Sequence, residues 1–228
     1  MQYMGSKSAI AKYLLPFMLP HRTCGMLWVE PFVGGANMID KVGGPRLGCD
    51  SHRFLIALLR AVQSGWVPPS TVTKEEYYDI KANPHEFQDH VVGFVGFLCS
   101  FGGKWWGGYA QNKKGTNYAA TGSKVLTRQA TNLRDVTFLN QSYDELELGS
   151  KSLIYCDPPY AGTTNYESKF SHDKFWDWCR KQKQDGHVIF VSEYNAPDDF
   201  HLLTTIQHKT RLDKNAQYPR IEKLYTLL

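Results

Sequence analysis

The stretch that most constrains this chain runs from Ser152 to Tyr160, Ser-Leu-Ile-Tyr-Cys-Asp-Pro-Pro-Tyr. Leu153, Ile154, Tyr155 and Cys156 form an uncharged run of strand-forming residues, which predicts a buried strand. Pro158 and Pro159 lack backbone N–H groups and have fixed φ, so the strand cannot continue as a central one and leaves in a stiff turn. That turn carries a carboxylate, Asp157, and an aromatic ring, Tyr160. Open α/β sheets bind ligands at the carboxyl ends of their strands, which makes this tip a candidate site. A strand that merely stops at prolines beside a surface Asp would read the same way, so the rest of the chain has to decide.

Upstream, Met26–Glu30 reads as a strand, followed at once by Pro31-Phe32-Val33-Gly34-Gly35-Ala36-Asn37. A helix is expected from near Ala36 to Gly43-Gly44, and a second strand from Arg46 to Cys49 ends at Asp50. Strand, glycine turn and helix form the nucleoside- or phosphate-cradling unit of doubly wound folds, and glycines let the backbone approach a ligand closely, although a plain tight turn would read the same way. The turn is not GxGxxG, so a nicotinamide dinucleotide is not indicated. An acid at the tip of the second strand commonly binds a ribose hydroxyl, the role expected of Asp50. Ser51 is the expected cap of a helix bearing Leu55, Leu58, Leu59 and Val62 on one face. The amino-terminal Tyr3-Met4-Gly5-Ser6-Lys7 is a small-residue turn ending in a lysine, either ligand-facing or simply flexible.

From Trp66 to about Arg134 the strand–helix alternation breaks. Thr73-Lys74-Glu75-Glu76 is a capping-box start, His85–Phe101 has a helical stripe, and Ser123 is the expected cap of a helix reaching Arg134. Between Asp89 and Asp135 there is no acidic residue, while Lys104, Lys113, Lys114, Lys124, Arg128 and Arg134 all fall inside. The whole chain has a net charge of only +4, so this one module is basic and the remainder slightly acidic. Lysines for phosphates and rings for bases suit nucleic acid. Lys104, Trp105, Trp106, Tyr109, Lys113, Lys114, Lys124 and Arg128 are therefore the candidate nucleic-acid-binding residues, although the two tryptophans could instead pack the lobe from inside.

Beyond it, Val136–Leu139 and Ile154–Asp157 read as strands, Ser171 caps a helix that ends by Gly186, and His187–Tyr194 is strongly β. Thr204–Asp213 and Glu222–Leu228 read as a closing antiparallel pair. The result is an α/β sheet formed by residues 1–65 and 135–228, interrupted by an insert at 66–134. No apolar run approaches the length of a membrane span. Five scattered cysteines predict reduced thiols in a cytosol, and neither they nor the eight histidines have metal-ligand spacing, so no metal is expected.

In these motifs and their order the chain resembles the Dam family of DNA adenine-N6 methyltransferases over nearly its whole length. The likeness lies in Tyr3-Met4-Gly5-Ser6-Lys7, Glu30-Pro31-Phe32-Val33-Gly34-Gly35-Ala36, Asp50 and Asp157-Pro158-Pro159-Tyr160. It departs at Ser6 and Ala36, where glycine is common in the family, and the Gly102–Tyr109 loop does not match the recognition hairpin of GATC-specific members. The resemblance implies a Rossmann-like class I methyltransferase sheet, mostly parallel with an antiparallel last strand, and an inserted DNA-recognition lobe. It also implies S-adenosylmethionine as cofactor, with Tyr3, Lys7, Phe32, Gly34, Asp50 and Asp157 around it. The implied reaction is methylation of N6 of an adenine flipped out of duplex DNA, with Asp157, Pro158 and Tyr160 catalytic. The implied setting is the cytoplasm of a bacterial cell or of a virus-infected one. An amino-group methyltransferase acting on RNA or on a protein glutamine, and a catalytically inactive DNA-binding module, stay open as alternatives.

Overall fold

The computed structural model describes residues 1–160, 170–208 and 220–227. The chain starts with helix α1 (Ala11–Met18) and strand β1 (Leu27–Glu30), then β2 (Arg46–Asp50) and α2 (Arg53–Gln63). Three helices follow, α3 (Lys74–Ala82), α4 (Asp89–Leu98) and α5 (Tyr118–Ala130). The chain then returns to the sheet as β3 (Val136–Asn140), β4 (Ser152–Cys156), α6 (His172–Gln184), β5 (Val188–Glu193), β6 (His201–His208) and β7 (Arg220–Thr226). The strands form one seven-stranded sheet in the order β3-β2-β1-β4-β5-β7-β6. The first five are parallel, and β7 runs antiparallel to both β5 and β6. This is the mostly parallel, Rossmann-like sheet with an antiparallel last strand that the resemblance implies. The closing pair is present as expected, except that its Asp213 end lies outside the described residues.

Strand periodicity divides the core. Val29, Cys49, Ile154, Cys156, Ile189 and Val191 face α6, while Trp28, Leu153, Tyr155 and Phe190 face the layer built by α1 to α5. Parallel strands covered on both faces need apolar side chains at both parities, which explains the uncharged run before Asp157. On α2, the face of Leu55, Leu58, Leu59 and Val62 read from the sequence is buried, together with Ile56. The helix packs closely on α4: a Cβ added at Gly93 would lie 2.2 Å from the Phe54 carbonyl oxygen. At the outer edge of the sheet, Arg60 Nε donates to the Phe138 carbonyl at 3.1 Å, and Gln63 Nε2 to the Val136 carbonyl at 2.6 Å.

Three local expectations are overturned. No α-helix follows the glycine turn, only a short 3₁₀ turn at Ile39–Lys41. Gly34 and Ala36 both take left-handed φ values, 47° and 55°, which a helix cannot contain. The carbonyls of Gly35 and Ala36 instead accept from the side chain of Gln129 on α5, at 3.1 and 3.0 Å. Second, His52 rather than Ser51 caps α2, because Asp50 Oδ1 takes the His52 N–H at 3.0 Å and delays the helix by one residue. Third, Asn117 caps α5, with its Oδ1 accepting from Ala120 N at 2.8 Å. Ser123 sits inside that helix, and its hydroxyl donates to the Pro68 carbonyl at 2.6 Å. The Thr73 capping box and the Ser171 cap are both present as expected.

Candidate active site

The chain reverses its order in the sheet between β1 and β4, so the crevice at their carboxyl ends is the topological switch point where such sheets bind ligands. Three acids stand at neighbouring strand ends: Glu30 closes β1, Asp50 closes β2 and Asp157 follows β4. Glu30 is buried and accepts a hydrogen bond from Trp28 Nε1 at 2.8 Å. Burial pushes its carboxyl well above the ordinary range, against that hydrogen bond. Asp50 Oδ2 accepts from Gly34 N at 3.1 Å, so this acid also pins the glycine turn. Burial raises Asp50 to about 6, while the His52 and Gly34 N–H groups pull the other way.

Lys7 reaches across from the amino-terminal turn. Its Nζ lies 2.8 Å from Asp157 Oδ1 and 3.5 Å from Glu222 Oε1, and 4.7 Å from the centre of the Tyr160 ring. The Tyr160 hydroxyl donates to Glu222 Oε1, and its ring meets Tyr194 edge-on at 4.7 Å. Burial works against the Lys7 charge, but the two carboxylates outweigh it, so the ammonium is held above its ordinary pKa. Burial pushes the Asp157 carboxyl up to about 6, with Lys7 opposing and Glu222 adding to the rise. Burial and the two carboxylates push the Tyr160 phenol well up. Pro158 is buried and Pro159 half-buried.

The structure thus brings Lys7, Asp157 and Tyr160 into one cluster and joins Asp50 to Gly34 in another. Tyr3 packs on the glycine turn: a Cβ at Gly34 would lie 2.9 Å from Tyr3 Cε1. Phe32 packs against rings at Tyr143, Phe170 and Phe175 at 5.2 to 5.8 Å. Glu222 was not among the sequence candidates. A single Glu in a closing strand carries no local signal, and its role appears only when β7 is laid beside β5.

In the insert, Lys104, Lys113, Lys114, Lys124 and Arg128 are all exposed. The rings are not free platforms. Trp105 packs against His52, Phe97 and Phe54 at 4.3 to 5.5 Å, and a Cβ at Gly96 would lie 2.2 Å from its ring. Trp106 meets Tyr77 edge-on at 5.2 Å, and the Tyr109 hydroxyl donates to the Val72 carbonyl at 2.8 Å. Internal packing therefore describes both tryptophans, and the exposed aromatic of the stretch is Phe101.

Residues 104–218 match the family model of the D12 class N6 adenine-specific DNA methyltransferases. Two curated proteins named DNA adenine methylase, from two Vibrio cholerae serotype O1 strains, are each 29% identical over 171 residues, covering 61% of this chain and 59% of theirs. The chain thus aligns with about three-fifths of the length of these relatives. Among solved structures, TrmN from Thermus thermophilus shares 14% identity at a TM-score of 0.43, covering 96% of this chain and 49% of its own. SMU.472, described as a putative methyltransferase complexed with SAH, shares 11% at 0.41, covering 98% and 52%.

Proposed function

This chain belongs to the D12 class of N6 adenine-specific DNA methyltransferases, and from that premise we propose that it methylates N6 of adenine in duplex DNA at a specific site. The observation that carries the reading is the Lys7–Asp157–Tyr160 cluster at the carboxyl end of β4, beside the switch point. When bound, S-adenosylmethionine supplies the electrophilic methyl group. The residues present fit that group. Asp50 has accepted two backbone N–H bonds and keeps lone pairs for ribose hydroxyls, while Phe32 offers a half-buried apolar wall. Tyr3, Lys7, Gly34 and Asp157 complete the cofactor set of this proposal.

The exocyclic nitrogen of adenine is a poor nucleophile because its lone pair is delocalised into the ring. The Asp157 carboxylate and the Pro158 carbonyl accept its two N–H hydrogens and favour a pyramidal nitrogen whose lone pair is available. Catalysis then comes from positioning and electrostatics. N6 becomes positive as it is methylated and sheds one proton, which Asp157 is placed to take and pass to water. Reaching N6 in a duplex requires flipping the base, at a few kcal/mol of lost stacking and pairing, and Tyr160 stacks on the extruded ring.

In this reading residues 66–134 form the target-recognition lobe and residues 1–65 with 135–228 the catalytic domain, in a bacterial or virus-infected bacterial cytoplasm. Among the described residues no helix is long and apolar enough to cross a membrane, and no acidic, histidine or cysteine group could hold a metal. The test is side-by-side methylation of duplex DNA, RNA and protein, with sequencing for N6-methyladenine after expression in a host lacking it. Methyl groups on RNA or protein alone would sink the proposal, and absence of cofactor binding by calorimetry would reduce the chain to a DNA-binding module.

The exposed lysines supply a further expectation. Changing Lys113 and Lys114 together to Ala should weaken DNA binding and lower the slope of log affinity against log salt by roughly two, since each phosphate contact contributes about one. An unchanged slope removes both from the phosphate contacts.

A further inference from the structure

We propose that Glu222, on β7, is a positioning residue for the transfer: it anchors Lys7 and Tyr160 and so leaves Asp157 able to exchange its ion pair for the amino group of the target base. This rests on the methyl-transfer reading given above.

Glu222 is only 5% exposed, on a strand inside the sheet, where an acid without partners would be strongly unfavourable. One of its oxygens, Oε1, receives the Tyr160 hydroxyl and also lies 3.5 Å from Lys7 Nζ. The ammonium therefore sits among Asp157 at 2.8 Å, the Gly5 carbonyl at 3.3 Å, Glu222 at 3.5 Å and the Tyr160 ring at 4.7 Å. A Lys7–Asp157 pair alone would be neutral. Turning Asp157 towards a base would then strip Lys7 of its counter-ion in a buried place. With Glu222 present the ammonium keeps a partner whichever way Asp157 turns. Two carboxylates around one ammonium also give the ionised cluster one net negative charge, placed to meet the positive charge that develops on N6. Glu222 further fixes the plane of the Tyr160 ring through its hydroxyl, while Tyr194 holds the ring edge-on.

The experiment measures kcat and KM across pH for the wild type, Glu222→Gln, Glu222→Asp and Tyr160→Phe, with thermal melting of each. Glu222→Gln keeps the shape and an acceptor for the Tyr160 hydroxyl while removing the charge. Its kcat is expected to fall roughly tenfold to a hundredfold, with KM for DNA within about twofold. The acidic limb of kcat/KM, set by Asp157 near pH 6 in the free protein, is expected to move to lower pH, because one charge opposing ionisation of Asp157 is gone. Among the described residues, the titratable groups that act on Asp157 are Lys7, Tyr160, Glu222, Tyr155, Cys156 and Glu30, and of these only Glu222 is altered. Glu222→Asp restores the charge, and so the position of the limb and part of kcat.

Tyr160→Phe should move the limb the opposite way, to higher pH, because the lost hydroxyl had favoured the ionised Asp157. This variant and Glu222→Asp carry the test if Glu222→Gln does not fold. A wild-type kcat with an unmoved limb in Glu222→Gln overturns the role of Glu222, as does a limb that Glu222→Asp leaves displaced. A wild type that methylates no DNA overturns the transfer reading itself.

Discussion

Asp157→Ala is expected to lower the single-turnover rate of adenine methylation by roughly a thousandfold, the range seen when a transition-state hydrogen-bonding partner is deleted. The loss should fall on the chemical step, because the alanine can neither hold an N6–H bond nor take the departing proton. Folding should survive. Deleting one member of a buried ion pair usually strands the other, at about 3 to 5 kcal/mol. Here Lys7 would still face Glu222, whose oxygen is already 3.5 Å away. The melting temperature is therefore expected to stay within a few degrees, and DNA affinity within roughly threefold, since the exposed cations of the insert are untouched. Rapid quench with labelled donor, beside a melting curve, checks both halves. A variant that transfers methyl groups at the wild-type rate refutes the proposed mechanism.

Gly93→Ala carries the largest expected loss of stability. The new Cβ would lie 2.2 Å from the Phe54 carbonyl oxygen and 3.1 Å from Leu58 Cβ, so α4 would have to back away from α2 as a body. Neither contact is with the loose end of a flexible side chain. Overpacking of this kind costs typically 1 to 3 kcal/mol, and a backbone obstruction puts this site at about 3 kcal/mol or above. At roughly 2 to 4 °C per kcal/mol for a chain of this size, the midpoint should fall by about 6 to 12 °C. Gly149 is the control: nothing lies within 4 Å of its added Cβ, and Gly149→Ala should stay within about 0.5 kcal/mol. Equal melting curves for the two variants would show that α2 and α4 are not held as tightly as their backbones indicate.

What could be read from the chain alone was whatever its causes lie close together in sequence. The uncharged run before Asp157, the prolines after it, the Thr73 capping box and the Ser171 cap act over a few residues, and each stands where it was expected. The helix predicted after the glycine turn failed because the partner that replaces it, Gln129, is more than 90 residues away. In sequence the tryptophans could be read either as base platforms or as internal packing, because a loop of lysines, glycines and rings looks exposed. Their hosts, His52 and Phe54, belong to α2 and its cap, far upstream. Glu222 was invisible for the same reason, since its contacts to Tyr160 and Lys7 exist only once the sheet has closed.

The contacts of Arg60 and Gln63 with β3 bear on how the molecule meets its own copies. An unprotected edge strand invites another chain to add a strand of its own. On this flank the carbonyls of Val136 and Phe138 are already engaged by side chains of the helix above them. An incoming strand would have to evict a guanidinium and an amide before forming its first rung. Growth of the sheet by stacking copies edge to edge is thereby foreclosed on the β3 side, without a proline or a bulge in the strand.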